Sequence, residues 1–205
     1  MADDGDETMA GNVEAGGARR GSRWRIVFWS AAALVLLLPL VAMQFTDEVQ
    51  WAASDFVFAG ALLGGIGLMY ELAVRRTDDT AYRAAAGIAL AAVLLLVWIS
   101  LGVGIIGADG DPANLLYAGV LAVGIVGAVV ARFRPRGMAR AMFATALAQA
   151  SVAAGAVVAH LGSPYSGPIE LVVLNGFFVA LFAGSAVLFR RAAREHAPSD
   201  AGRAR

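Results

Sequence analysis

Residues 26–45 read IVFWSAAALVLLLPLVAMQF, a run with no charged side chain. A helix rising ~1.5 Å per residue needs about 20 such residues to cross a hydrocarbon core of ~30 Å, so a run of this length predicts a membrane span. Five more apolar runs follow, at residues 52–71, 84–107, 113–131, 140–161 and 169–189. The connectors FTDEVQ, VRRTDDTAYR, ADGDP, RFRPRGM and GSPYSGP are too short to hold a separate domain, and they predict antiparallel neighbours. The expected fold class is all-α: a polytopic membrane bundle of six transmembrane helices over residues 26–191. An apolar content of 59% agrees, since soluble domains average about 45–50%. Residues 1–25 are polar, rich in Gly, Asp and Glu, and predict a disordered tail, as do residues 192–205 at the other end.

The net charge of zero conceals a sorting of charge along the chain. All 16 basic residues are arginines, and all lie before the first run, between the second and third, between the fourth and fifth, or after the sixth. The other three connectors hold none. Basic residues are retained on the cytoplasmic side of short loops, so this distribution predicts both termini inside and the loops with Asp47, Glu48, Asp109 and Asp111 outside. An even number of crossings is required by the same distribution.

GVGIIG, residues 102–107, matches the G-x-G-x-x-G spacing of dinucleotide-binding loops. That spacing has meaning only where it leaves a strand and opens a helix. Here it ends an apolar run and precedes the turn ADGDP, while LAVGIVGA nearly repeats it at residues 121–128. The glycines are expected to let helices approach, as are the four-residue stripes Gly60/Gly64, Ala146/Ala150/Ala154 and Gly176/Ala180/Gly184. Pro39 is expected to kink the first helix.

Polar side chains inside the runs are costly in lipid and are the candidates for function. Asp55, one turn inside the second run, fits a proton or cation site; near a helix N-terminus it equally fits a carboxylate favoured by the dipole. Gln149 and Asn175 fit interhelical hydrogen bonds. His160 and Glu170 bracket the last outer connector; with Asp55 they could form a proton relay or a weak metal site, or His160 could simply cap its helix. Asn114 opens the fourth helix and, with Asp55, His160 and Asn175, could line an outer vestibule. Arg132, Arg134, Arg136 and Arg140 suit contact with anionic lipid headgroups, although topology alone accounts for them.

The absence of cysteine and the presence of only His160 and His196 leave no recognisable metal-ligand spacing, and no cofactor is expected. The arginine clusters lack the aromatic interleaving of a nucleic-acid surface. H-E-x-x-H, G-x-S-x-G and a phosphate-binding P-loop are all missing.

The segments QFTDEVQWAASDFVFAGALLGGIGLMYELAVRR, VGIIGADGDPANLLYAGVLAVGIVGA, ARFRPRGMARAMFATALAQA and LNGFFVALFAGSAVLFRRAA resemble a group of small bacterial multi-pass membrane proteins. The resemblance covers residues 25–193 and implies a bacterial cytoplasmic membrane and a six-helix layout. It carries no activity, substrate or cofactor. The expected role is a non-enzymatic accessory, scaffold or lipid-interacting bundle, with a homo-oligomer or another membrane protein as partner. The alternative is a small transporter or channel subunit with a polar outer vestibule around Asp55.

Overall fold

A computed structural model describes residues 26, 29–46, 50–75, 77–108 and 110–195. The expectations for the N-terminal tail, for residues 196–205, and for Asp47, Glu48 and Asp109 fall outside them. The described residues form six α-helices: α1 (Trp29–Ala42), α2 (Ala53–Arg75), α3 (Thr80–Gly102), α4 (Leu116–Val130), α5 (Pro135–Val158) and α6 (Pro168–Glu195), with a 3-10 turn over Pro112–Leu115. Five stretches are long and apolar enough to cross a bilayer: α2, α3, Pro112–Val130, α5 and α6. The sequence predicts six. The described part of α1 ends at Ala42, and at ~1.5 Å per residue its 14 residues fall short of a ~30 Å core.

The chain divides into two compact units, residues 1–67 and 68–205. In the first, α1 and α2 approach where Gly60 lies against Leu36. Ala32, Ala59 and Leu63 are buried there, and Trp51 meets Phe56 edge to face at 5.1 Å.

In the second unit α6 packs against both α3 and α5, and α4 packs against α5. The α6 face Asn175, Phe178, Phe182, Ser185, Phe189 recurs at three- and four-residue steps, so one helix face carries all of them into the core. The α4 and α5 backbones come close because Gly124 faces Thr145 and Gly127 faces Ala141; a Cβ on Gly127 would lie 2.7 Å from that of Ala141. These are the LAVGIVGA glycines, used as expected. The expected stripes are used in part: Gly60 faces Leu36 and Ala146 is buried in the core, whereas Gly64, Gly176 and Gly184 have no neighbouring atom among the described residues within 4 Å of where a Cβ would stand.

The ends of α3 to α6 have different chemistry. At one end lie Arg83, Arg132, Arg134, Arg136, Arg140, Arg190, Arg191 and Arg194, hereafter the arginine end. α3 starts there with Asp79 as its cap, the Oδ1 accepting the Ala81 and Tyr82 N–H groups at 2.7 and 3.0 Å. α4 stops there in a Schellman turn: Arg132 and Phe133 take left-handed backbone, with N–H groups bonded to Val129 O and Ala128 O. The Tyr82 hydroxyl donates to Phe133 O at 2.8 Å, and its ring meets Phe189 at 5.0 Å. At the opposite end α3 stops at Gly102, short of the predicted Gly107. Gly104 and Gly107 have φ of +80° and +72°, which turns the backbone out of the helix although the side chains remain apolar. Connector 103–111 therefore does more than link neighbours, and α3 makes its main contact with α6 instead of α4. α6 in turn continues helical through Glu195, past the start of the expected tail.

Candidate functional site

Asn114, Tyr117, Gln149 and Asn175 converge toward the arginine-free end of the 68–205 unit, in two layers, while Ser185 Oγ donates to Ala85 O at 2.9 Å nearer the arginine end. The deeper layer joins three helices. Asn175 on α6 is 0% exposed and its Nδ2 donates to Leu171 O of its own helix at 2.8 Å. That bond fixes the amide: Oδ1 must point the other way, across to α4 and α5. There it accepts the Tyr117 hydroxyl at 3.0 Å and Gln149 Nε2 at 2.9 Å. Gln149 is also 0% exposed and Tyr117 1%. Since Asn175 Oδ1 can only accept, Gln149 must turn its nitrogen toward it, and this leaves Gln149 Oε1 buried with no hydrogen-bond partner. An unmatched buried acceptor of this kind costs about 1–3 kcal/mol. Ser100 Oγ, near the last turn of α3, is a second buried atom without a partner. Thr145, one turn from Gln149 on α5, bonds back to Ala141 O at 2.9 Å and takes no part in the junction.

The outer layer is a plug formed by residues 103–108. Ile105 and Ile106 are 2% and 0% exposed, so this loop pushes its side chains into the protein. Its backbone polar groups need partners, and one side chain supplies most of them. Asn114 Oδ1 accepts the Ile105 and Ile106 N–H groups at 2.9 and 3.0 Å, and Nδ2 donates to Ile106 O at 3.0 Å and Ala108 O at 3.3 Å. Asp111 caps the 3-10 turn that carries Asn114, accepting Ala113 N–H at 2.8 Å. Ser166, from the α5–α6 connector, accepts the Gly107 N–H at 3.0 Å. Gly162 permits that approach: a Cβ there would stand 2.7 Å from Gly107 N. GVGIIG thus makes a loop whose glycines serve backbone direction and whose isoleucines serve as filler. Asn114 and Tyr117 are three residues apart, so the plug lies about one helical turn above the junction.

Of the sequence-derived candidates, the structure brings Gln149 and Asn175 together directly and places Asn114 just above them. Asp55 belongs to the 1–67 unit; it is exposed and its Oδ2 accepts Ala52 N–H at 2.8 Å at the start of its own helix. His160 is exposed with left-handed backbone and closes α5: its N–H bonds Val157 O, the Leu161 N–H bonds Ala156 O, and its Nδ1 lies 3.2 Å from Val158 O. Glu170 is exposed in the first turn of α6. Arg132, Arg134, Arg136 and Arg140 are exposed around the α4–α5 turn. Among the described residues the ion pair is Arg75 with Glu71 at 3.3 Å, four residues apart. No group of three metal-ligating side chains occurs among the described residues. Tyr117 was not among the sequence candidates; the signal available is that a tyrosine inside an apolar run must bring its hydroxyl to a partner.

An open cleft of about 900 Å³ lies at the arginine end, lined by Thr77, Asp78, Asp79, Thr80, Ala81, Ala84, Leu188 and Glu195. Asp79 there is already engaged as the α3 cap.

Helices of this length and apolarity, with amides paired inside lipid-facing surfaces, define a multi-pass helical membrane protein. No protein-family model matches the chain, and no curated protein or solved structure shows significant similarity to it.

Proposed function

We propose that this protein is a non-enzymatic accessory or scaffold subunit of a bacterial cytoplasmic membrane. It crosses six times, with the arginine end and both termini in the cytoplasm. The observation that carries the reading is the closure of the polar junction. Asn175 Oδ1 accepts from both Tyr117 and Gln149, and all three side chains are buried, which suits fastening three helices and does not suit lining a passage. Each interhelical bond of this type contributes roughly 0.6–2 kcal/mol in lipid. The arginine distribution and the resemblance of residues 25–193 to small bacterial six-helix membrane proteins support the compartment and orientation. Arg132, Arg134, Arg136 and Arg140 contact anionic headgroups, each adding about 1 kcal/mol near the surface. A second copy or another membrane protein is the partner.

The test is flux. Protein reconstituted in liposomes is expected to pass protons and monovalent cations no faster than protein-free liposomes. Flux above that background that Asp55→Asn abolishes would replace this reading with the transporter one.

A further inference from the structure

We propose that residues 103–108 form a plug that opens from the arginine-free end and admits a small, neutral, hydrogen-bond-donating solute to Gln149 Oε1. This goes beyond the accessory role and does not depend on it.

Three observations carry the proposal. First, the closed junction is incompletely satisfied: Gln149 Oε1 and Ser100 Oγ are buried polar atoms without partners, and both sit in the plugged half of the 68–205 unit. Closure therefore leaves an acceptor that a donor group would satisfy, and opening gives it access to one. Second, the plug is attached as a removable part is attached. Val103 and Gly104 close α3 with N–H bonds to Ile99 O, but from Ile105 to Gly107 the bonds to the backbone come from the side chains of Asn114 and Ser166, and Gly104 and Gly107 near the two ends of the plug have the positive φ that suits a hinge. Third, access ends at the junction. Phe178 lies just below Asn175, and Phe182 and Phe189 fill the arginine half of the same α6 face, all at 0% exposure, so the geometry describes a binding seat and not a passage.

The chemistry of the seat defines its occupant. Tyr117, Gln149 and Asn175 are neutral, the unmatched atom is a carbonyl oxygen, and Val120 and Leu171 beside them are apolar and buried. A small alcohol or amide with a free donor and no charge matches; an ion finds one free acceptor where it needs several.

The chain has no cysteine, so a single reporter can be introduced. Val120 is 1% exposed and lies one turn below Tyr117 on α4. In purified detergent-solubilised protein, Val120→Cys is expected to react slowly with N-ethylmaleimide. Adding Asn114→Ala, which removes the main latch, is expected to raise the rate more than about tenfold, the effect of one to two lost hydrogen bonds on an opening equilibrium. Ser166→Ala, which removes one bond and keeps the fold should Asn114→Ala fail, is expected to raise it about threefold to tenfold. Glycerol is then expected to slow the reaction more than sucrose at equal osmolality, and Gln149→Met to abolish that difference. Rates unchanged by both latch variants in folded, monodisperse protein overturn the plug; equal slowing by glycerol and sucrose overturns the solute seat.

Discussion

The two ends of the 68–205 unit are fastened by different means. At the arginine end the interior is mainly apolar: Phe182, Phe189, Met138 and Met142 fill it, Ser185 Oγ donates to Ala85 O across α6 and α3 at 2.9 Å, and Tyr82 to Phe133 O ties the loop. At the opposite end, bonds from Asn114, Tyr117, Gln149, Ser166 and Asn175 hold loop and helices together. The difference follows from what each loop asks of its surroundings. The α4–α5 turn satisfies its own carbonyls through a Schellman geometry and stays in water. Connector 103–111 sends two isoleucines inward, and every backbone group taken with them needs a partner away from water.

Four substitutions sharpen or break this contrast, measured as unfolding free energy in mixed micelles. Phe189→Ala has the largest expected effect, about 3–5 kcal/mol, because it opens a cavity where dense packing is the fastening. Asn175→Leu follows at about 2–3 kcal/mol, since it strands the Tyr117 hydroxyl and the Gln149 amide together. Combining it with Tyr117→Phe and Gln149→Leu is expected to restore most of that loss; no recovery in the triple variant would mean that shape, not polarity, matters at this end. Asn114→Ala is expected to cost about 1–2 kcal/mol, with faster amide exchange confined to Ile105, Ile106 and their neighbours. Tyr82→Phe should be the smallest, about 0.5–1 kcal/mol, without a change in exchange at the arginine-free end. A Tyr82→Phe cost larger than that of Asn114→Ala would reverse the contrast.

Much of the helical layout was legible because hydropathy reports which residues can face lipid. The α3 boundary was not, because Ile105 and Ile106 are as apolar as the helix before them. Hydropathy cannot distinguish an apolar side chain on a helix from one on a loop folded inward; the positive φ at Gly104 and Gly107 makes that distinction. For the site, Gln149 and Asn175 stood out as amides in apolar runs. Their mutual bond depends on the rotation of α5 and α6 about their axes, which small-residue spacing did not supply: the Gly176/Gly184 stripe points away from the neighbours within 4 Å, and the useful contacts came from Gly124 and Gly127. Asn114 was seen as a polar opening residue, but its four bonds need a loop shape that no spacing encodes. For Asp55 and His160 the modest alternatives, a helix-start carboxylate and a helix cap, describe the bonds they make.

The lengths of α4 and α6 have a mechanical consequence. Pro112–Val130 has 19 residues, of which four are stretched at the 3-10 rise, and so reaches about 30 Å; the 28 residues of α6 reach about 42 Å. With its first turn near the Ser166 level, α6 runs the extra length past α4 while still packed on the bundle: Phe189 and Ala192 are fully buried, and Leu188 and Glu195 line the cleft at the arginine end beside the start of α3. A probe attached at Glu195 would therefore turn with the core of the bundle, since both belong to one continuous helix.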